Sequence, residues 1–200
     1  MKDITPRQKE IVDAALGIIS ERGVEELTIK GIAARVGFSD AAVYRHFKSK
    51  ERILSAIIDL FARSSAQLLE EINACDCASL DKIQLFFLDR CRVFSTERVL
   101  ATVMFAESLF QSDPRLAAKL HRVLHGHREL LIKTIRSGQR QGTIRPLPAE
   151  HLFTMVMGSL RLLVLQWRIG GSAFDLPRAG EKLWATLEAL IAVPTATKEK

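Results

Sequence analysis

The sequence predicts an all-α fold in which a small N-terminal three-helix domain is joined to a larger helical body, with about nine helices in total. Two observations support this prediction. Apolar residues recur at intervals of three and four through nearly every segment, which is the spacing of one face of a helix. No segment shows the regular alternation of apolar and polar residues that is typical of a half-buried strand.

The first three predicted helices are short, and each begins and ends at a recognisable residue. Thr5 caps the first helix, which is followed by Gly23. Thr28 caps a second helix that ends at Gly37, where glycine permits the chain to turn. Ser39 caps a third helix of about seven residues.

Longer helices follow. The fourth begins at Lys50 and runs to about Ala74. Proline and glycine punctuate the rest of the chain, and the further predicted helices are Ser79–Ser95, Glu97–Gln111, Pro114–Gly138, Pro148–Ile169 and Leu176–Ala192. The change from short to long helices predicts a small N-terminal domain at residues 1–48 and a helical body at residues 49–200, with a frayed tail from Thr195.

The composition narrows the class of protein. About half of the residues are hydrophobic (48%), and the net charge of +6 favours an anionic partner such as nucleic acid. Three cysteines are an odd number in a chain that needs no disulfide framework, so we expect a reducing, cytoplasmic setting. The first ten residues lack an apolar run, so no signal peptide is expected. Polar residues interrupt the apolar segment Leu152 to Ile169, which favours a buried helix over a membrane span.

Three residues of the second and third helices have the spacing of a helix-turn-helix. Ala33 is small enough for two short helices to cross closely, Gly37 takes the positive φ that the turn requires, and Val43 returns the third helix to the core. An ordinary helical hairpin has the same outline. Because Thr28 and Ser39 are also placed as caps, the sequence favours the helix-turn-helix.

The stretch LTIKGIAARVGFSDAAVYRHFKSKERIL, residues 27–54, resembles the TetR family of bacterial transcriptional regulators. The residues that match the family's pattern are Ile32, Ala33, Gly37, Tyr44, Phe47 and Lys50. The resemblance covers about residues 9–55, and beyond them only the number and length of helices agree. It implies a homodimeric repressor that binds operator DNA and is released by a small apolar or amphipathic effector, with no enzymatic activity and no cofactor.

By this resemblance the third helix enters the major groove of double-stranded DNA. Hydroxyls, helix N-termini and cations are the usual phosphate ligands, which favours Thr28, Tyr44 and Lys50 for that role. Arg45 has the chemistry to read a guanine edge, and a plain phosphate contact is the open alternative. The predicted DNA-binding residues are Thr28, Ser39, Asp40, Ala41, Tyr44, Arg45, His46, Lys48 and Lys50.

Two residues depart from the family's pattern. Gly31 lies inside the second helix, where glycine costs about 1 kcal/mol of helix propensity. Asp40 places an acid at the start of the recognition helix, either as a partner of the helix dipole or as an acceptor for a cytosine amino group.

The helical body is expected to pair two copies, because helix-turn-helix proteins commonly place two recognition helices in successive grooves. By the resemblance the last two helices form the seam, and a wholly intrachain core is the alternative. The predicted dimer residues are Leu160, Leu163, Trp167, Leu183, Trp184, Leu187, Leu190 and Ile191.

Phenylalanine and methionine beside a few polar groups form adaptable apolar pockets, so the middle of the body is the predicted effector site. Ordinary core packing is the alternative for each residue. The predicted pocket residues are Phe86, Phe87, Arg90, Phe94, Met104, Phe105, Glu107, Phe110, Phe153, Met157 and Arg161.

Neither a metal site nor a catalytic motif is predicted. Cys75, Cys77 and Cys91 lack a histidine at zinc-finger spacing, and His121 and His125 lie one turn apart in a basic segment that is better explained as a solvated face. Two alternative hypotheses remain. One is a helical enzyme or binding module whose first fifty residues only mimic a helix-turn-helix. The other is a DNA-binding regulator controlled by a partner protein, or with a nucleoid role, that has no small-molecule ligand.

Overall fold

The computed structural model describes residues 5–194, and within them the chain forms ten helices and no strand beyond one isolated bridge between Ile144 and Ala192. The predicted all-α fold is confirmed, and the tail from Thr195 lies outside the described residues. The helices are α1 (Pro6–Arg22), α2 (Ile29–Val36), α3 (Asp40–His46), α4 (Lys50–Ala74), α5 (Ser79–Thr96), α6 (Arg98–Met104), α7 (Glu107–Ser112), α8 (Pro114–Arg140), α9 (Ala149–Ile169) and α10 (Leu176–Ile191).

The caps predicted for the first three helices are confirmed. The Thr5 hydroxyl accepts a hydrogen bond from the backbone N–H of Gln8, whose side chain accepts in return from the N–H of Thr5. This reciprocal pair satisfies two backbone donors that a helix start leaves without partners. Gly37 adopts the left-handed conformation with φ 71°, which ends α2 and turns the chain into α3.

The single helix predicted for Glu97–Gln111 is wrong, because the structure divides it into α6 and α7. The break falls at Phe105 and Ala106, where the N–H of Ala106 bonds to the carbonyl of Val103 in a tighter turn. No glycine or proline marks the break in the sequence. Val103 and Met104 are buried, so tertiary packing overrides the helical pattern there.

The chain forms two compact units. The first unit holds the residues up to Ser64 together with Glu97–Val123, and the second holds Ser65–Thr96 together with the residues from Leu124 onward. The three-helix domain predicted for residues 1–48 lies within the first unit, and its boundary stays a prediction.

Each unit has its own core. In the first, α1 packs against α2, α3 and α6 through buried residues that include Ile11, Ile32 and Val43. In the second, α5 packs against α9 and α10, with the rings of Phe87 and Trp184 5.8 Å apart. Packing on these cores leaves one face of α3 exposed in the first unit and one face of α9 exposed in the second.

The cysteines differ from the expectation of a chain without disulfides. Cys75 and Cys77, with Cα atoms 5.4 Å apart, form a disulfide in the segment after α4. Such a Cα separation is usual for a disulfide. Cys91 is free and buried on α5, and burial raises the pKa of its thiol to about 12.

Candidate nucleic-acid interface

The short helix α3 is fixed by one cap and two buried side chains. The Ser39 hydroxyl accepts from the N–H of Ala42 at 3.2 Å. Val43 is buried, which confirms its predicted return to the core, and buried Phe47 at the end of the helix anchors α3 further. Because these two residues take the inner face, the other side chains of α3 are left to solvent.

All nine predicted DNA-binding residues are exposed and belong to the first unit. They occupy the N-cap of α2 (Thr28), the cap and body of α3, the turn after α3 (Lys48) and the start of α4 (Lys50). Tyr44, a large aromatic, is 46% exposed. Aromatic rings of this size are usually more buried, so its exposure is consistent with a surface that meets a partner.

Three cations of the first unit are neutralised by nearby carboxylates, whereas the cations of this surface are not. Arg7 pairs with Glu10, Lys9 with Asp13, and Arg35 with Glu21, each within 2.7 Å. Within the described part of the chain, Arg45, Lys48 and Lys50 take part in no ion pair. Their charges are therefore available to an anion such as phosphate.

Two contacts that the sequence analysis missed connect the start of α1 to this surface. The Gln8 side-chain amide donates to the carbonyl of His46 at 3.5 Å, at the end of α3. The guanidinium of Arg7 lies 5.4 Å from the centre of the Phe38 ring, next to the turn. Both join residues about thirty or more positions apart, which hydrophobic periodicity does not report.

The structure gives a reason for Gly31. Its N–H donates to the hydroxyl of Thr28 at 3.0 Å, and a Cβ at position 31 would lie 3.1 Å from that oxygen. Glycine therefore leaves room for the cap, and the cap holds the Thr28 hydroxyl at the N-terminus of α2.

The predicted dimer residues divide into two groups. Leu160, Trp167, Trp184, Leu187 and Ile191 are each at most 4% exposed, so they pack within their own chain. Leu163 and Leu183 are half-buried, and Leu190 is 53% exposed. Whether these residues meet a second copy stays a prediction.

The sequence favours a buried helix for α9, but the structure buries this helix on one face only. Its opposite face exposes Met155, Leu162 and Ile169, by 41%, 55% and 79%. By length and composition alone this helix could also cross a membrane, and 28% of the stretch is buried within the chain. Most of an apolar helix is thus open to a further partner.

The predicted pocket residues do not form one group. Phe86, Phe87, Arg90 and Phe94 are buried on α5 in the second unit, whereas the residues from Met104 to Phe110 belong to the first. Phe153 and Met157 are half-buried on α9, and Arg161 is exposed. Their role in effector binding stays a prediction.

A buried polar cluster surrounds Arg90. This residue is 2% exposed, and its guanidinium donates to the hydroxyl of Ser65 at 3.0 Å and to the carboxylate of Asp89. Burial lowers the pKa of Arg90, against the opposing effect of Asp89. His127 lies edge-on to Phe86 with ring centres 4.9 Å apart, and burial, aided by the charge of Arg90, lowers its pKa to about 4.

Two cavities lie in the second unit. One, of about 510 Å³, has an apolar lining from α4, α5 and α10 that includes Leu68, Ile72 and Leu88, with acidic groups at Glu71 and Glu181. The other, of about 390 Å³, is lined chiefly by charged residues of α8. Neither cavity is lined by a predicted pocket residue. No group of three or more potential metal ligands occurs among the residues that the structure describes.

Comparisons with known proteins cover both units. Residues 11–57 match the family model of bacterial regulatory proteins of the tetR family, and residues 56–190 match the model of the C-terminal region of YsiA-like proteins. The fatty acid metabolism regulator protein of Bacillus subtilis (strain 168) is 28% identical over 88% of this chain and 91% of its own. The nucleoid occlusion factor SlmA of Vibrio vulnificus (strain YJ016) is 23% identical over 92% of this chain and 95% of its own.

A solved structure agrees with these matches. That of the transcriptional regulator FadR from Bacillus subtilis, in complex with stearoyl-CoA, has a TM-score of 0.74 and 26% identity, and covers 90% of this chain and 97% of its own. The helix-turn-helix predicted from the sequence thus lies in a chain whose two parts both match the family. The chain belongs to the TetR family and is a DNA-binding transcriptional regulator.

Proposed function

We propose that this regulator is a cytoplasmic homodimeric repressor that binds its operator through the surface from Thr28 to Lys50 and leaves it when a fatty acyl-CoA binds. The observation that carries the proposal is the exposed face of the recognition helix α3. Buried Val43 and Phe47 anchor this helix, and the unpaired cations Arg45 and Lys48 lie at its exposed end. Such a face supplies both phosphate ligands and a base-reading guanidinium. We assign the chain no enzymatic step.

The effector class is supported by relatives of this chain. One is named a fatty acid metabolism regulator, and another was solved with stearoyl-CoA. The second unit offers an apolar interior with a buried polar centre at Arg90, Ser65 and His127. An apolar site with a few placed polar groups suits an amphipathic ligand.

The exposed face of α9 supports the proposed pairing of two copies through this helix. Met155, Leu162 and Ile169 are seven residues apart and so share one side of the helix, where Gly158 adds no side chain. Exposed Leu190 extends apolar surface to α10. A helical face of this kind, on a regulator that needs two recognition helices, favours pairing with a second copy over contact with a membrane.

The decisive experiment measures binding to the DNA that flanks the protein's own gene. Tyr44→Phe combined with Lys50→Ala removes one hydroxyl and one cation, and we expect affinity to fall at least tenfold. Lys182→Ala, an exposed lysine on α10, is the matched control and should bind as the unaltered protein does. Equal binding by both variants would show that the DNA surface lies elsewhere.

A second candidate function is favoured by one observation, the similarity to the nucleoid occlusion factor SlmA over 92% of the chain. Such a protein would be governed by a partner protein and not by a small molecule. Dodecanoyl-CoA added to the protein–operator complex distinguishes the two: release of DNA supports the acyl-CoA repressor, and full retention at saturating ligand supports the second candidate.

A further inference from the structure

A cluster of cations on α8 has no role in the function proposed above. Arg128, Lys133, Arg136 and Arg140 line the cavity of about 390 Å³ in the second unit, together with the carboxylates of Glu129 and Glu150. Four positive and two negative charges leave a net charge of +2 at this place. We call these residues the α8 cluster.

The cations of the α8 cluster fall into two kinds. Arg128 donates to Glu150 at 2.7 Å and to Glu129 at 3.3 Å, and Arg136 lies 3.8 Å from Glu150. Lys133 and Arg140 are exposed and form no ion pair with any residue between positions 5 and 194. The cavity therefore holds two cations without a counterion and two that share one carboxylate.

The α8 cluster lies next to the buried polar centre of the second unit. His127 precedes Arg128 and turns inward against Phe86, at 4.9 Å between ring centres. On α9, Glu150 precedes the buried Leu152 by two residues. Charged and buried residues thus lie within one turn of each other on both helices.

We propose that the α8 cluster binds the phosphate groups of the acyl-CoA effector. This inference rests on the proposed acyl-CoA response and names the residues that recognise its polar end. Lys133 and Arg140 contact phosphate directly. Arg128 and Arg136 exchange part of their interaction with Glu150 for the stronger charge of a phosphate.

A second segment of duplex DNA is the competing occupant, since it too presents phosphates. The size of the cavity opposes it, because about 390 Å³ has room for a compact group of phosphates but not for a duplex.

The test compares two ligands that differ only in the polar end, dodecanoyl-CoA and S-dodecanoyl-pantetheine. Affinity is measured by calorimetry on the dimer without DNA. The unaltered protein should bind dodecanoyl-CoA about tenfold more tightly, and Lys133→Ala with Arg140→Ala should reduce that ratio to near one. Binding of S-dodecanoyl-pantetheine should not change, which shows that the variant is folded.

Arg122→Ala, an exposed arginine on the same helix outside the α8 cluster, is the matched control and should keep the ratio. A ratio in the double variant equal to that of the unaltered protein overturns the inference but leaves the acyl-CoA response standing. Failure of the unaltered protein to bind either ligand removes both proposals. Weaker operator binding by the double variant, without any ligand, overturns the inference in favour of a DNA contact.

Discussion

At the scale of single residues, the chemistry of the base-reading surface is concentrated in α3. Arg45 is exposed near the end of this helix, and its planar guanidinium matches two acceptors of guanine. Lys48 lies just after the helix and carries a compact charge that suits phosphate, which every base pair presents. We therefore expect Arg45 to contribute sequence specificity and Lys48 to contribute affinity for DNA of any sequence.

We predict that Arg45→Ala relaxes sequence preference at one operator position by about 1–3 kcal/mol, because a bidentate base contact is lost. Competition with operators altered at single positions measures this. Lys48→Ala is the comparison and should weaken all operators alike. A uniform loss for Arg45→Ala would assign Arg45 to phosphate.

Buried His127 should make stability depend on pH. Its pKa is about 4 in the folded chain and ordinarily 6.5, mainly because burial disfavours the charged ring. The unfolded chain thus binds an extra proton between these values, so the free energy of unfolding falls with decreasing pH by up to about 1.4 kcal/mol per unit. We expect His127→Gln to lose this dependence in urea unfolding between about pH 6.5 and about pH 4.5.

His125 provides the control for that measurement. It lies two positions earlier on α8 and is exposed. His125→Gln should retain the pH dependence of the unaltered protein. A similar slope in His127→Gln would mean that other groups account for acid destabilisation.

At the scale of helices, the sequence predicts boundaries well where a residue of special backbone chemistry stands at the end. Thr5, Gly23, Gly37 and Ser39 lie where caps and turns were expected. The break between α6 and α7 was not predictable, because only burial of Val103 and Met104 distinguishes it. Contacts between distant residues, such as Gln8 with His46, were missed because hydrophobic periodicity reports only local structure.

Two helices of the second unit approach closely where Gly180 of α10 faces Cys91 of α5. A Cβ at position 180 would lie 2.7 Å from the Cys91 sulfur and 3.2 Å from its Cβ. Because this sulfur is one bond from Cβ, it cannot swing away as a long side chain does.

We predict that Gly180→Ala destabilises the chain by about 1–3 kcal/mol, despite the gain in helix propensity. Cys91→Ala in the same chain should recover part of the loss, since it vacates the contact. Urea unfolding of the two single variants and the double variant gives the coupling. Simple additivity would contradict the steric explanation.

At the scale of the molecule, the apolar residues of α9 and α10 fall into a buried group and an exposed group. Trp167 and Trp184 serve the chain's own core, whereas Leu162 is turned outward. Apolar composition alone could not assign these roles, since both faces of α9 have similar residues. The fold class and the helix-turn-helix were predictable because caps, glycine turns and periodicity are local.

We predict that Leu162→Glu converts the dimer to a monomer with unchanged helix content, because a carboxylate would be buried in the seam. Light scattering after gel filtration measures the mass, and circular dichroism checks the fold. Leu85→Glu, at a leucine 47% exposed on α5, should remain dimeric. A dimeric Leu162→Glu protein would place the seam on another face.

The unpaired state of Lys48 and Lys50 makes ionic strength a control on repression. Each cation that meets a phosphate frees a counterion from the duplex, so about four in a dimer give a slope of about −3.6 for the logarithm of affinity against the logarithm of salt concentration. Doubling the salt should then weaken operator binding about twelvefold. Cations already neutralised within the chain, such as Lys9 by Asp13, add nothing to this slope. Osmotic stress, which changes the ion content of a bacterium, would thereby shift operator occupancy without any effector.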